Sequence, residues 1–212
     1  MVKIKKLIIA CDGESASGKS TASKLVSKKY KLLLINSGLL YRYCSKLIIN
    51  DRPKNVISYL KKKFKNVSYK KISRQKLHSE NISKHVGIIA KNKKIRDIVN
   101  QVQMRIIKSN NMICVEGRDI ASKVLSKKPK YDIAFYFKCK LDVAAYRRWL
   151  ELKKKIPIKD IKKSLRKRTY LDKNRKNSPL IKVKDAILIK TDKLSKSQVL
   201  DKMSKYIDNI YK

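Results

Sequence analysis

The sequence predicts an α/β fold with a mainly parallel sheet in one domain. Apolar, strand-like runs alternate along the chain with segments of helical periodicity, which is the order typical of parallel strands joined by helices. One apolar run leads into a glycine-containing loop and then a helix, the context that a phosphate-binding loop requires. Because 212 residues suffice for one well-buried core, we expect a single domain over residues 1–212.

The first half of the chain predicts three strands. "KKLIIACDG" predicts a buried strand, followed by a helix in "KSTASKLVSKKY". "YKLLLINSG" predicts the second strand, with a helix from near "LLYRYCSKLII". Residues 51–81 are lysine-rich and weakly periodic, so we expect a small excursion outside the sheet. Helical periodicity then runs through "ISKHVGIIAKNKKIRDIVNQVQMRIIKS", broken near residues 91–94, up to a third strand in "MICVEG".

The second half predicts two more strands and three helices. "DIAFYFKC" predicts the fourth strand, followed by a helix in "LDVAAYRRWLELKKK". "IKKSLRKRTYLDKNRKNSPL" predicts a polar, arginine-bearing helix that runs into a turn at Pro179. "AILIKTD" predicts the last strand, and "SKSQVLDKMSKYIDNIYK" a closing helix capped by Ser195.

The stretch "CDGESASGKST" carries the clearest functional signal. Its spacing fits G-x-x-x-x-G-K-[ST], the phosphate-binding loop. In such a loop backbone N–H groups bind phosphate oxygens, the lysine adds charge near the β- and γ-phosphates, and the hydroxyl coordinates Mg²⁺. The following helix adds its positive N-terminal end. The residues expected to bind ATP are Gly13, Glu14, Ser15, Ala16, Ser17, Gly18, Lys19, Ser20 and Thr21, with Ser20 as the metal ligand.

The charge balance is strongly basic, with 56 Lys and Arg against 16 Asp and Glu, a net charge of +40. Such a balance is compatible with nucleic acid or an anionic membrane as partner. The lysines are spread over every segment, however, which favours solvated surfaces. A basic RNA-binding protein is therefore an alternative, but it would need basic residues clustered with aromatic ones. We expect small-molecule nucleotides, and neither a specific nucleic acid nor a membrane, as partners.

The cysteines and the amino terminus bear on location. Four cysteines are widely spaced without a C-x-x-C pair, which indicates neither a zinc site nor a disulfide framework and fits a reducing cytoplasm. The apolar run "LIIA" near the amino terminus is only four residues long, whereas a secretory signal needs roughly 7–15. No apolar run approaches the roughly 18 residues of a membrane span. We expect a cytoplasmic protein that is not exported.

Arginines recur near predicted strand ends and in the polar helix. Phosphoryl transfer needs positive charge around the transferred group, and an arginine fork suits phosphate better than a lysine does. The guanine-reading pattern N-K-x-D is absent from the sequence. A kinase is therefore favoured over a GTPase. The arginines concerned are Arg42, Arg96, Arg118, Arg147, Arg148, Arg166, Arg168 and Arg175.

Six motifs, in this order over nearly the whole chain, resemble those of the bacterial cytidylate kinases. They are "IACDGESASGKST", "INSGLLYR", "KKIR", "VEGRDIAS", "YRR" and "RKRTYLDKNRKNSPL", with "DAILIKT" following the last. The resemblance implies a three-layer α/β/α P-loop fold of the nucleoside-monophosphate kinases. It also implies a small NMP-binding insert at about residues 52–100, an arginine-bearing lid region at about 147–180, and a monomer. The implied reaction is ATP + (d)CMP → ADP + (d)CDP with Mg²⁺.

The resemblance also implies roles for single residues. The residues matching positions that hold the CMP phosphate or line its pocket are Ser15, Ser37, Arg42, Arg118 and Arg175. Arg96 and Asp119 match positions that read cytosine, and Arg168 and Asp172 match positions near the sugar. Arg147 would lie in the lid over the transferring phosphate. Lys19, Arg118 and Arg147 are thus the expected catalytic residues.

Three departures from the family pattern affect these expectations. Asn36 stands where an Asp is usual, and Gly87 replaces a serine that helps to hold cytosine. Thr169, Tyr170 and Leu171 occupy a lid segment that is usually more acidic. Within the same fold, a kinase for UMP, AMP or shikimate is the alternative, and it would need a different pocket around Arg96 and Asp119.

Overall fold

A computed structural model describes residues 6–210 of the chain. Residues 1–5, part of the segment considered above as an export signal, and residues 211–212 lie outside the described part, so the ends of the predicted 1–212 domain do too. The chain divides into two compact units. The first unit comprises the chain up to Leu34 together with the chain from Asn111 onward, and the second is Ile35–Asn110.

A five-stranded sheet organises the first unit, although Ile35 and Asn36, the last two residues of one of its strands, belong to the second unit. Its strands are β1 (Leu7–Gly13), β2 (Leu33–Asn36), β3 (Met112–Glu116), β4 (Ile133–Lys138) and β5 (Ile187–Lys190), in the order β2-β3-β1-β4-β5. Strand β1 pairs in parallel with both β3 and β4, and β4 pairs in parallel with β5. The predicted α/β fold with a mainly parallel sheet is confirmed. The register sets Cys11, two residues before the glycine loop, opposite Glu116 at the end of β3.

The helices alternate with these strands. They are α1 (Lys19–Lys29), α2 (Ser37–Asp51), α3 (Val56–Phe64), α4 (Tyr69–Ser73), α5 (Glu80–Ile89), α6 (Lys93–Lys108), α7 (Leu141–Glu151), α8 (Ile158–Asn174) and α9 (Lys196–Asp208). A π-helical turn, Ile120–Val124, follows β3. The core of the first unit joins the sheet to α1 and α9 through residues such as Phe135, Phe137, Val26 and Met203.

Several predicted boundaries are confirmed. Ser195 caps α9, since its hydroxyl accepts from Gln198 N while the Gln198 side chain accepts from Ser195 N. The predicted break near residues 91–94 is the end of α5 and the start of α6.

The second strand was predicted too long, because Ser37 and Gly38 already form the first turn of α2. The π-helical turn was not predicted.

The second unit is helical. Helices α2 to α6 enclose a core that includes Leu40, Leu60, Phe64, Leu77 and Val99. The segment predicted as an excursion outside the sheet is therefore helical in α3 and α4, whose few apolar residues are enough to anchor short helices when tertiary packing supplies the stability. Among residues 6–210, no helix combines the length and apolar character that a membrane span requires.

Candidate active site

The loop between β1 and α1 is held tightly against β4. A Cβ atom at Gly13 would lie 2.4 Å from the carbonyl oxygen of Phe137, so no other residue fits there. Gly18 has a φ of 79°, a left-handed conformation that glycine adopts without strain. The loop is further fixed by Glu14 N, which donates to Phe137 O at 3.1 Å, and by Ser17 Oγ, which donates to Glu14 O at 2.9 Å. The backbone of the loop is thus preformed.

Two loop residues meet one buried carboxylate. Lys19 Nζ lies 3.0 Å from Glu116 Oε2, and Ser20 Oγ donates to the same oxygen at 2.7 Å. Glu116 is 1% exposed, and the Lys19 side chain is 9% exposed. Because β3 lies beside β1 in the sheet, the carboxyl end of β3 delivers Glu116 directly to the start of α1.

The residues present fit a magnesium ion of the kind that accompanies ATP. Mg²⁺ prefers oxygen ligands and is usually bound by one or two protein groups together with water and substrate phosphates. Ser20 Oγ and Glu116 Oε2 are two oxygens beside the phosphate loop. The described residues contain no cluster of three or more His, Cys, Asp and Glu side chains suited to a metal.

A network of two arginines and two aspartates lies beside the loop. Asp172 accepts from Arg118 Nε at 2.8 Å and lies 3.6 Å from Arg175 Nη1. Arg175 Nη2 lies 3.5 Å from Asp119 Oδ1. The side chains of Asp119 and Arg175 are 6% and 9% exposed. The carboxylates hold both guanidinium groups in fixed orientations, as binding of a phosphate by arginine forks requires.

Arg118 connects this network to the loop. Its Nη1 donates to Gly13 O at 2.8 Å, and its Nη2 donates to Ser15 Oγ at 3.3 Å. Four of the residues expected around the CMP phosphate or sugar, Ser15, Arg118, Asp172 and Arg175, therefore lie together next to the phosphate loop.

Asp12 fixes the segment that carries Arg118 and Asp119. Its carboxylate accepts from Ile120 N at 2.9 Å and from Ala121 N at 2.8 Å, at the start of the π-helical turn. Burial raises the pKa of Asp12 to about 6, although the two backbone hydrogen bonds act in the opposite direction. Asp12 was not predicted as a functional residue, and it is a positioning group for the residues that follow β3.

Arg147 and Arg168, two arginines of the predicted lid region, have different surroundings. Arg147 was expected over the transferring phosphate, but its guanidinium binds Thr191, with Nη2 donating to the carbonyl at 2.8 Å and Nη1 to Oγ1 at 3.3 Å. Thr191 Oγ1 in turn donates to Ser17 O in the loop at 3.0 Å. Arg147 thus supports the loop through Thr191. Arg168 lies on an exposed part of α8.

The second unit carries three of the predicted substrate residues. Ser37 is buried at the start of α2. Arg42 Nη1 donates to Ser83 Oγ at 2.7 Å. Arg96, 3% exposed, donates to Ala90 O at 3.2 Å, and its guanidinium lies 5.6 Å from the centre of the Tyr41 ring.

Two of the departures from the family pattern also lie in this unit. A Cβ atom at Gly87 would meet no other atom within 4 Å, so α5 leaves room there for a side chain. Asn36, at the end of β2, donates its backbone N–H to the Tyr69 hydroxyl at 2.6 Å. The packing at Gly87 therefore does not demand a glycine.

Sequence reasoning missed Glu116 as a site residue. The available signal was an acidic side chain at the end of an apolar strand, immediately before the "GRD" segment. Carboxyl ends of neighbouring parallel strands meet at one edge of a sheet, where ligands of open α/β sheets bind. Asp12 offered a similar signal at the end of β1, but its partners Ile120 and Ala121 are more than a hundred residues away.

A parallel sheet with a glycine loop after β1, and a lysine and serine of that loop on one buried carboxylate, define a P-loop nucleotide-binding protein. The sequence pattern of the cytidylate kinase family matches residues 9–209. The chain belongs to the cytidylate kinase family.

Individual relatives agree with this assignment. The cytidylate kinase of Clostridium tetani (strain Massachusetts / E88) is 33% identical over 219 residues, which cover 96% of this chain and 95% of that protein. Among solved structures, an uncharacterized protein from Eubacterium ventriosum ATCC 27560 is similar with a TM-score of 0.57 at 17% identity, covering 97% and 99% of the two chains. A shikimate kinase from Bacteroides thetaiotaomicron has a TM-score of 0.51 at 9% identity, and the match covers 95% of this chain and 98% of that chain. At such identities the structures establish the fold alone.

Proposed function

We propose that this protein transfers the γ-phosphoryl group of ATP to CMP or dCMP, giving ADP and CDP or dCDP. The observation that carries the proposal is the match to the cytidylate kinase family over residues 9–209, nearly the whole chain. The site is compatible with it, since a phosphate loop, a buried carboxylate and fixed arginines lie within one unit.

On the ATP side, residues 13–21 bind the triphosphate through their backbone N–H groups. Lys19 leaves Glu116 for the β- and γ-phosphates, because a nucleotide brings several negative charges to the loop. Ser20 and Glu116, which share a hydrogen bond of 2.7 Å, are the residues that would hold Mg²⁺. When bound, Mg²⁺ neutralises negative charge on the phosphate oxygens.

On the monophosphate side, Ser15, Arg118 and Arg175 bind the phosphate of CMP, assisted by Ser37 and Arg42. Asp172 holds Arg118 and Arg175 in place at 2.8 and 3.6 Å and, with Arg168, contributes to the sugar pocket. The phosphate of CMP is already an anionic nucleophile, so no side chain needs to act as general base. Positioning and charge stabilisation suffice for the reaction.

Base recognition is assigned to Arg96 and Asp119. Cytosine offers an exocyclic amine as donor and N3 as acceptor, whereas uracil offers O4 as acceptor and N3–H as donor in their place. A carboxylate that accepts from the amine and a guanidinium that donates toward the O2/N3 edge therefore favour cytosine. Uracil would leave both groups mismatched, which disfavours it.

The family resemblance also supports a monomer that acts on small-molecule nucleotides, and the four widely spaced cysteines support a cytoplasmic location. The scattered lysines support no specific nucleic-acid surface, and no observation favours the UMP, AMP, shikimate or RNA-binding alternatives. Size-exclusion chromatography with light scattering tests the monomer.

The test of the function is product analysis by chromatography after incubation of the full chain with ATP, CMP and Mg²⁺. We expect ADP and CDP in equal amounts, and none after chelation of Mg²⁺ with EDTA. Lys19→Ala should lower the turnover by ~10²–10³, and circular dichroism of the variant shows whether it is folded. Lys24→Ala is the matched control, since Lys24 is an exposed lysine of the same helix. Absence of CDP, or full activity of Lys19→Ala, would contradict the proposal.

A further inference from the structure

A cavity of about 270 Å³ opens beside the first residues of the phosphate loop. Its lining includes Glu14 and Ser15 of the loop, Lys138 at the end of β4 and Lys140 just after it, and Arg166 and Thr169 of α8. All of these residues belong to the first unit. The cavity is therefore part of the same compact body as the loop.

Helix α8 is docked on the loop at this cavity. Thr169 Oγ1 accepts from the backbone N–H of Ser15 at 3.4 Å, and Lys173 Nζ lies 2.6 Å from Glu14 Oε1. Residues three apart on a helix lie on the same face, so Arg166 is one turn before Thr169 on the face that meets the loop. Both residues line the cavity.

The charge of the cavity favours an anion. Lys138, Lys140 and Arg166 contribute three cations to the lining, against the single carboxylate of Glu14. That carboxylate is already paired with Lys173. Arg166 is the lining residue whose planar fork can bind two oxygens of one phosphoryl group.

Arg147, the residue that the sequence pattern puts over the transferring phosphate, is engaged elsewhere. Its guanidinium donates to the carbonyls of Thr191 and Asp192 at 2.8 and 3.4 Å. Thr191 then reaches the loop through Ser17. These bonds make Arg147 a support of the loop.

We propose that Arg166 is the lid arginine that contacts the phosphoryl group in transit, and that Arg147 is a positioning residue acting through Thr191. This inference rests on the proposed phosphoryl transfer to CMP. In that step an oxygen of the CMP phosphate forms a bond to the γ-phosphorus, and the bond from the γ-phosphorus to the β–γ bridging oxygen breaks. The electron pair leaves with ADP. Arg166 stabilises the negative charge on the oxygens of the group between them.

The test compares steady-state kinetics of Arg166→Gln, Arg166→Lys and Lys167→Gln with the wild type. Lys167 is an exposed cation of the same helix, outside the cavity lining, so Lys167→Gln controls for net charge. We expect Arg166→Gln to lower kcat by at least ~10², with KM values for ATP and CMP changed by less than about threefold. Arg166→Lys should not restore the rate, because the fork is lost. Arg147→Lys should give the smaller fall in kcat.

A second measurement does not depend on turnover. Isothermal titration calorimetry compares the binding of CMP to the enzyme with ADP and to the enzyme with ADP and aluminium fluoride, which imitates the phosphoryl group in transit. Aluminium fluoride should lower the Kd for CMP in the wild type and in Lys167→Gln, and it should not lower this Kd in Arg166→Gln.

The outcomes separate the two proposals. A wild type that does not phosphorylate CMP contradicts the proposed function. A wild type that does, together with an Arg166→Gln variant that keeps its kcat or changes only KM, overturns this inference alone.

Discussion

The ammonium group of Lys19 lies 3.0 Å from the carboxylate of Glu116, which is 1% exposed. The same carboxylate oxygen accepts from the Ser20 hydroxyl. The carboxylate thus gathers the two loop side chains that the motif assigns to phosphate and metal. Breaking a buried pair of this kind is costly when one charge is left without a partner, and the phosphates of ATP give Lys19 a new partner.

Glu116→Gln should raise the Mg²⁺ requirement. The amide keeps the shape of the side chain but removes the charge that favours a divalent cation. We expect the Mg²⁺ concentration for half-maximal activity to rise about 10- to 100-fold, as is typical when a metal-supporting carboxylate is lost. Glu151→Gln is the control, because Glu151 is exposed and forms an ion pair with Arg148, outside the site. An unchanged Mg²⁺ titration for Glu116→Gln would remove Glu116 from the metal site.

Asp12 should make the stability depend on pH in an unusual direction. Its pKa is raised by burial from 3.8 to about 6 in the folded chain, so the folded state holds the proton more tightly than the unfolded one. The stability from this group is fully present below pH 3.8 and is lost as the pH rises through about 6. The free energy of unfolding of the wild type, compared with that of Asp12→Asn, should decrease by up to about 3 kcal/mol across that window.

Urea denaturation of both proteins at several pH values between 4 and 7 measures this difference. The other titrating groups are common to both proteins and cancel in the comparison. Asp12→Asn should also be the less stable protein at low pH, since the amide has one acceptor oxygen for the two N–H groups of Ile120 and Ala121, and its NH₂ group would face the other N–H. If the free energy of unfolding of the wild type, relative to that of Asp12→Asn, did not change with pH or increased with pH, the raised pKa would be contradicted.

Much of the fold was predictable because its signals are local. The glycine loop, the start of α1 and the Ser195 cap each depend on residues within one or two turns. The π-helical turn was not predictable, because its first N–H groups bind Asp12, which lies at the end of another strand. Helices α3 and α4 were not predicted because their segment is rich in lysine and only weakly periodic. Their anchoring residues Leu60 and Ile72 pack in the core with residues from other helices.

In the site, too, local features were predictable and contacts between residues distant in the chain were not. Lys19 and Ser20 follow from motif spacing alone, whereas their common partner Glu116 is 96 residues from Ser20. Arg147 was singled out by its position in a motif, but its contact with Thr191 spans 44 residues and could not be read from spacing. The sequence therefore predicted residue types suited to phosphate, together with Asp119 and Asp172, but not Glu116, Asp12 or the Thr191 carbonyl, whose contacts are distant in the chain.

Asp119→Ala should reduce discrimination between bases. If Asp119 accepts from the amine of cytosine, its removal lowers kcat/KM for CMP far more than for UMP, and the ratio of the two falls toward one. Asp119 also lies 3.5 Å from Arg175. If kcat/KM fell equally for CMP and UMP, the fall would come from the loss of this ion pair and not from base recognition. Kinetics with both monophosphates distinguish the two results. An equal fall for CMP and UMP would contradict the base-reading role.

Gly87→Ser should restore a contact that the family pattern includes. A Cβ atom at Gly87 would have no neighbouring atom within 4 Å. We expect kcat/KM for CMP to rise about two- to tenfold relative to Gly87→Ala, the size of one net hydrogen bond. The alanine variant is the matched control, because replacing glycine within a helix is stabilising by itself. Equal values for the serine and alanine variants would place Gly87 away from the base.

The most direct test of the account is kcat/KM of the wild-type protein for CMP, dCMP, UMP, AMP and shikimate, each with ATP and Mg²⁺ in one coupled assay. A buried polar site that matches one base rejects another by as much as ~10⁴, and with Gly87 in place of serine we expect CMP to be preferred over UMP by at least about tenfold. CMP or dCMP should be the best acceptor in the panel. Equal use of UMP, or a preference for AMP or shikimate, would contradict the account.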